Sequence, residues 1–122
     1  MKRRLYLDEE IDILKSNIFI RDVKYKREIV YDPIFKLWTL FMRLECPELT
    51  AREIFEKAGI NTNILHRNLP KKRINDWMYA YKRFGVKYFI PEDTAYTITD
   101  KFKQELISLV LGKLEANERN TL

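Results

Sequence analysis

Apolar residues recur every three or four positions along most of this chain, the spacing that places side chains on one face of an α-helix. The pattern predicts helices over 8–16, 33–45, 70–84 and 99–117, and a shorter one within 49–60. Between the first two helices, the segment IFIRDVKYKREIVYD is rich in β-branched and aromatic residues that partly alternate with polar ones. This composition predicts a two-stranded ribbon over 18–23 and 28–31.

Local signals predict where several of these helices begin and end. Asp8 is predicted to cap the first helix. Asp32, which is followed by a proline, is predicted to cap the second. Thr50 and Glu53 form the T-x-x-E pattern of a capping box. Gly59 stands where a left-handed residue ends a helix in a Schellman motif. The helix between these signals is therefore expected to be short.

The stretch after Gly59 leads into the most basic helix of the chain. A short helical segment capped by Asn61 or Thr62 is predicted to run through Arg67, and the Leu69–Pro70 step predicts a break before the next helix. One side of the helix over 70–84 is apolar and is predicted to be buried: Ile74, Trp77, Met78, Tyr81 and Phe84. The opposite side is polar and mostly basic: Lys72, Asn75, Tyr79 and Lys82, flanked by Lys71, Asp76 and Arg83.

A short capped helix, a glycine turn and a basic helix form the layout of a helix-turn-helix. The predicted fold is therefore mainly α with small β hairpins, a winged helix-turn-helix on a trihelical core. The 122 residues are predicted to form one domain. Its predicted parts are an N-terminal helix and ribbon (5–31), the helix-turn-helix core (33–85), a wing-like hairpin (86–98), a C-terminal helix (99–117) and a frayed tail (118–122).

Composition narrows the classes of function. The formal net charge of +5 favours a polyanionic partner. The single cysteine, Cys46, and the single histidine, His66, lie in different segments, so no metal or other cofactor is expected. No phosphate-binding glycine loop and no catalytic pair or triad stands out, so no enzymatic activity is expected. Without a signal peptide or a bilayer-spanning apolar run, the sequence predicts a cytoplasmic protein with no membrane partner.

Double-stranded DNA is the partner that this pattern favours. A helix in the major groove needs cations at its flanks for the phosphates and hydrogen-bonding groups at its centre for base edges. Lys71, Lys72, Arg73, Lys82 and Arg83 are predicted to contact phosphate, with Asn75 and Tyr79 at the centre. Strict helix-turn-helix spacing adds a second set directly after the turn: Asn61, Thr62, Asn63, His66 and Arg67. The sequence leaves open which of the segments 61–67 and 70–83 enters the groove.

The order of motifs also resembles a known family. The resemblance rests on the motifs ILKSN, IVYD, LTAREIFEKAGI and KKRI and on the spacing of Trp77, Tyr81 and Gly85. The chain resembles the helix-turn-helix domain of small insertion-sequence transposase subunits and related phage and mobile-element proteins of Gram-positive bacteria. The resemblance covers about residues 5–86 and is strongest from Thr50 to Gly85. It implies binding to element-end or operator DNA. The family's acidic-triad domain and long coiled coil are missing from this sequence, so DNA binding without transposition is expected.

The predicted function is therefore sequence-specific binding of double-stranded DNA by a transcriptional, phage or mobile-element regulator. The alternative is a phage or mobile-element protein-interaction module that inhibits a host factor acting on nucleic acid. An apolar stripe on the last helix, which includes Leu109 and Val110, is predicted either to form a homodimer or to pack on the core of its own domain.

Overall fold

The computed structural model describes residues 5–89 and 101–121, and in the last helix the side chains of 104–117. This part of the chain is mostly helical, with one antiparallel two-stranded ribbon. In chain order the elements are α1 (Asp8–Lys15), β1 (Ile20–Lys24), β2 (Glu28–Tyr31), α2 (Pro33–Glu45), α3 (Ala51–Lys57), α4 (Leu69–Phe84), a short 3-10 helix (Val86–Phe89) and α5 (Lys101–Thr121). The structure confirms the predicted ribbon and four of the predicted helices, and most of their ends agree to within two residues. These helices are the ones predicted at 8–16, at 33–45, within 49–60 and at 70–84.

The centre of the core is a cluster of aromatic rings that joins the ribbon to three helices. Helices α2, α3 and α4 pack on one another in pairs. Phe35 of α2 is completely buried between them. Its ring contacts five others at centroid distances from 5.1 to 6.1 Å: Phe19, Tyr31, Trp38, Phe55 and Trp77. Trp38 thus has the structural role expected of a residue on the apolar side of α2.

The predicted ends of α3 are confirmed. The backbone N–H of Thr50 donates to a carboxylate oxygen of Glu53 (2.9 Å), and the Glu53 N–H donates to the Thr50 hydroxyl (3.1 Å). At the other end Gly59 has φ +84°, and the Ile60 N–H donates to the Phe55 carbonyl at 3.3 Å. These are the bonds of a capping box and a Schellman ending, so α3 has only seven residues.

Two glycine-to-alanine changes are expected to have opposite effects on the free energy of unfolding. Gly59→Ala places a Cβ on a residue with positive φ, 3.4 Å from the Asn17 amide nitrogen, and should destabilise the protein by about 1–2 kcal/mol. Gly112→Ala is the matched control, because Gly112 lies inside α5 with open space around it. It should stabilise by about 0.5–1 kcal/mol. Urea denaturation followed by circular dichroism measures both, and effects of equal sign would contradict this account.

Two predictions on individual residues are wrong. Asp8 does not cap α1: Leu7 is the cap residue, and its N–H donates to the Glu10 carboxylate at 2.8 Å. Glu10 can make this bond whichever residue occupies the cap, so Asp8 is available to pair with Lys26 at 3.2 Å.

The prediction that Phe84 is buried is also wrong. Phe84 is 56% exposed, because it is the last residue of α4 and extends past the part of the helix that packs on the core.

The predicted hairpin over 86–98 is wrong in its first part. Gly85 has φ +80° and ends α4, after which Val86–Phe89 form a 3-10 helix. Val86 and Phe89 are both buried, because residues three apart in a 3-10 helix lie on the same side. A strand would have pointed them to opposite faces. The remaining residues of the predicted hairpin, 90–98, lie outside the described part of the chain.

The C-terminal helix packs on the domain's own core. Val110 and Leu114 of α5 are buried against the rest of the domain, where α5 lies along α2. The Tyr81 hydroxyl donates to the Leu114 carbonyl (3.0 Å) and accepts from the Asn117 amide (2.9 Å). The predicted fraying of 118–122 is wrong for 118–121, since α5 continues to Thr121. A homodimer through α5 would have to use its other side, where Leu109 is exposed.

Candidate nucleic-acid interface

Helix α4 is held in place by its apolar side, so its other side is turned to solvent. Ile74, Trp77 and Tyr81 are buried, as predicted. On the opposite side seven residues are exposed, and we call them the outward face of α4: Lys71, Lys72, Asn75, Asp76, Tyr79, Lys82 and Arg83. The side chains predicted to face solvent on this helix are therefore brought together on one accessible surface.

The outward face of α4 is strongly cationic. The helix carries five Lys and Arg residues and a single carboxylate, Asp76, a net charge of +4 against +5 for the whole chain. Asp76 pairs with Arg73 at 3.2 Å. Within residues 5–89 and 101–121, Lys71, Lys72, Lys82 and Arg83 form no ion pair. Their charges are therefore available to an anionic partner.

Asn75 and Tyr79 lie on this face with different surroundings. The side-chain amide of Asn75 has no hydrogen bond to any residue in the described part of the chain, so it can both donate and accept. Tyr79 is 65% exposed, and its hydroxyl accepts a long bond from Arg83 (3.5 Å). The Arg83 guanidinium also lies 5.7 Å from the Phe84 ring. Arg83 is thus held against aromatic side chains, whereas Asn75 is free to contact a ligand.

The short helix predicted over 61–67 is wrong. The segment forms consecutive turns, in which the Ile64 N–H donates to the Asn61 carbonyl and the Leu65 N–H to the Thr62 carbonyl, both at 3.2 Å. The Asn61 side chain accepts from the Asn63 N–H at 3.1 Å. Such local side-chain bonds compete with helix formation, which explains the error.

The predicted DNA contacts in this segment differ in how accessible their side chains are. The prediction that Thr62 contacts DNA is wrong. Thr62 is buried, and its hydroxyl donates to the Glu56 carboxylate at 2.9 Å, so it is not available to DNA. Asn63 is exposed but accepts from the Arg52 guanidinium at 2.9 Å. Asn61, His66 and Arg67 are exposed, and the last two lie within three residues of the start of α4.

The connection between α3 and α4 is longer than the tight turn expected of a strict helix-turn-helix. It comprises residues 58–68, between Lys57 and Leu69. Ile64 and Leu65 in the middle of this connection are buried, so its path is fixed by the core. Because no helix forms in 61–67, α4 is the helix in this region that could enter a groove.

A basic cleft lies between the ribbon and the first turns of α4, and the sequence did not predict it. It has a volume of about 420 Å³, and its charged lining is Lys24, Arg27, Glu28, Lys36 and Arg73. Arg73, predicted as part of the DNA-binding side, belongs to this cleft and is only 26% exposed. Since successive residues are 100° apart, Arg73 lies about 180° around α4 from Lys82. The cleft lining includes no residue of the outward face of α4, but it does include His66, another of the predicted DNA contacts.

The surroundings of Lys36 in this cleft are unusual for a lysine. It is half-buried on α2, and its ammonium lies 5.9 Å from the centre of the Trp77 ring. Loss of solvent, and then the positive charge of Arg73, lower the pKa of Lys36 below its ordinary value. No carboxylate in the described part of the chain pairs with it.

The same residues do not provide a metal centre. Among the described residues no group of three His, Cys, Asp or Glu side chains could hold a metal ion. In that part of the chain no helix combines the length and the apolar character that crossing a bilayer requires. Comparison of the chain with protein-family profiles, with characterised proteins and with solved structures gave no match.

Proposed function

We propose that this protein binds double-stranded DNA through α4 and acts as a non-catalytic regulator of transcription or of a mobile element. The observation that supports this best is the outward face of α4, where four cations without ion-pair partners in the described part of the chain surround Asn75 and Tyr79. Cations at the flanks of a helix neutralise phosphates on both walls of the major groove. Asn75 has the side chain that pairs with the edge of adenine in that groove.

In this proposal the fold is a helix-turn-helix with a lengthened connection. The mutual packing of α2, α3 and α4 supports a trihelical unit in which α3 braces the groove helix. Asn61, His66 and Arg67 are exposed in the segment that precedes α4 and would contact the neighbouring DNA backbone. A wing over 90–98 stays a prediction. The resemblance to transposase-subunit domains would make the target an element end or an operator.

Salt dependence tests this proposal directly. Binding to a labelled random-sequence duplex, measured by fluorescence anisotropy, should weaken as salt rises from about 50 to 200 mM. The slope of log K against log salt should lie between about −3.5 and −4.5, from roughly 0.9 per phosphate for the four cations of the outward face and for Arg67. Absence of binding at the lowest salt, or an affinity that does not change with salt, would contradict the proposal. Selection of bound fragments from a random DNA pool would then identify the target.

A second candidate function is supported by aromatic residues at the end of α4. Phe84 is 56% and Tyr88 60% exposed, and their rings stack at 5.2 Å. Exposed aromatic side chains are typical anchors of protein–protein interfaces. This is the alternative of a module that binds a host protein. The duplex titration separates the two functions, because only the first requires binding to random DNA at low salt.

A further inference from the structure

We propose that the basic cleft between the ribbon and α4 is a binding site for a phosphate group. Four cations line it, Lys24, Arg27, Lys36 and Arg73, against one carboxylate, Glu28. A phosphate group carries up to two negative charges, so it can compensate such a set better than a single carboxylate. This site is distinct from the outward face of α4 and does not depend on the proposed binding of DNA.

The cations come from three separate parts of the chain. Lys24 and Arg27 flank the turn of the ribbon, Lys36 lies on α2, and Arg73 lies in the first half of α4. Folding therefore brings like charges into one cleft, at a cost in electrostatic repulsion. Only Arg73 has an ion-pair partner among the described residues, Asp76, which is not part of the cleft lining. An anion in the cleft would remove the repulsion.

Lys36 contributes to this cost because it is half-buried. Its ammonium is partly removed from water, experiences the positive charge of Arg73, and lies over the face of Trp77, 5.9 Å from the ring centre. A cation–π contact compensates only part of the hydration that an ammonium loses. A half-buried positive charge in a cleft, without a carboxylate partner among the described residues, marks a candidate binding site, and its sign favours an anion.

The turn of the ribbon holds Lys24 and Arg27 in place through a strained backbone. Tyr25 and Lys26 both have positive φ, 55° and 56°, although neither is a glycine, and the Arg27 N–H donates to the Lys24 carbonyl at 3.0 Å. This is a type I′ turn, which usually contains Asn and Gly. The Lys26 carbonyl accepts from the Tyr6 N–H at 2.7 Å, which fixes the turn against the N-terminal segment. Strain that is maintained in this way is often found beside functional sites.

The test is a titration of the full chain with pyrophosphate at constant ionic strength. Binding is followed by the fluorescence of Trp77 in a Trp38→Phe background and by the rise in Tm. Lys36→Gln and Arg27→Gln should each weaken pyrophosphate binding about tenfold or more, because each removes one charge-assisted contact. Lys113→Gln, a change at an exposed lysine of α5, is the matched control and should stay within about twofold of wild type.

A measurement of stability tests whether weaker binding by a variant is caused by misfolding. Without pyrophosphate, Lys36→Gln should melt at or above the temperature of the wild type, because it removes the repulsion with Arg73. Weaker binding by a variant that is folded and no less stable would therefore reflect the loss of a contact. Citrate at equal charge concentration is the polycarboxylate control. Equal affinity for citrate and pyrophosphate would overturn the assignment to phosphate.

A second arm distinguishes a free phosphorylated molecule from the backbone of a nucleic acid. If the source is a free molecule, Lys36→Gln loses pyrophosphate binding and keeps its affinity for duplex DNA within about twofold. If the source is the DNA backbone, the salt slope of duplex binding falls by about one in the same variant. Unchanged binding of both probes in the variants would overturn the proposal. Pyrophosphate binding by a protein that fails to bind duplex would leave the cleft assigned and refute the DNA-binding function.

Discussion

Replacing Lys72 and Lys82 together with glutamine is expected to weaken binding to duplex DNA about 30-fold near 0.15 M salt. Both lysines are exposed on the outward face of α4, without an ion-pair partner among the described residues. Each phosphate contact contributes about 0.9 to the salt slope, so the slope should fall by about two. Fluorescence anisotropy against a random duplex at several salt concentrations measures both quantities. The loss should be similar for all sequences, because contacts to phosphate do not depend on the base.

The double variant Lys57→Gln with Lys113→Gln is the control for net charge. It removes two positive charges as well, but from exposed positions on α3 and α5 outside the outward face of α4. Its affinity should change less than about threefold, since distant charges are screened at this salt concentration. If both double variants lose affinity equally, binding depends on overall charge and α4 is not the interface.

Phe35→Ala is expected to destabilise the fold by about 3–5 kcal/mol, a large part of the roughly 5–15 kcal/mol typical of a whole domain. Phe35 is completely buried, and its ring contacts five other aromatic side chains of the core. Its removal leaves a cavity that the surrounding helices can only partly fill. Urea denaturation monitored by far-ultraviolet circular dichroism measures the change, and near-ultraviolet dichroism reports on the remaining aromatic packing.

Phe84→Ala provides the comparison at an exposed ring. Phe84 is 56% exposed and stacks only at the surface, on Tyr88. Its truncation should cost no more than about 1 kcal/mol. Similar losses in the two variants would mean that the aromatic cluster around Phe35 is not the centre of the core.

The sequence predicts best those features that depend on residues close to one another in the chain. The capping box of Thr50 and Glu53 and the left-handed Gly59 require only local bonds, and all of them form. The outward face of α4 follows from the 3.6-residue period of a helix that has one apolar side. These signals identify the outward face of α4, but they misplace Arg73, which lines the cleft, and Thr62, which is buried.

Two local predictions fail, the Asp8 cap and the helix over 61–67, because other short-range side-chain bonds form there. The remaining features that the sequence did not predict depend on contacts between distant segments. Val86 and Phe89 enter the core as a 3-10 helix because apolar space is available beside α2 and α4, which β-propensity alone does not reveal. The basic cleft is a stronger example. Lys36 lies between two buried neighbours, Phe35 and Leu37, in a helix whose composition indicates only core. Its position beside Arg73 exists only after the ribbon and α4 have packed on α2.

The shared aromatic cluster has a consequence for protein engineering. Phe19 and Tyr31, which belong to the ribbon region, supply rings that contact Phe35, and the Asn17 amide donates to the Ala58 carbonyl at the end of α3. A fragment containing only α2, α3 and α4 would expose these aromatic surfaces to water. The three helices are therefore not a cassette that can be excised and fused to another protein, and grafting designs should retain the polypeptide from α1 onward.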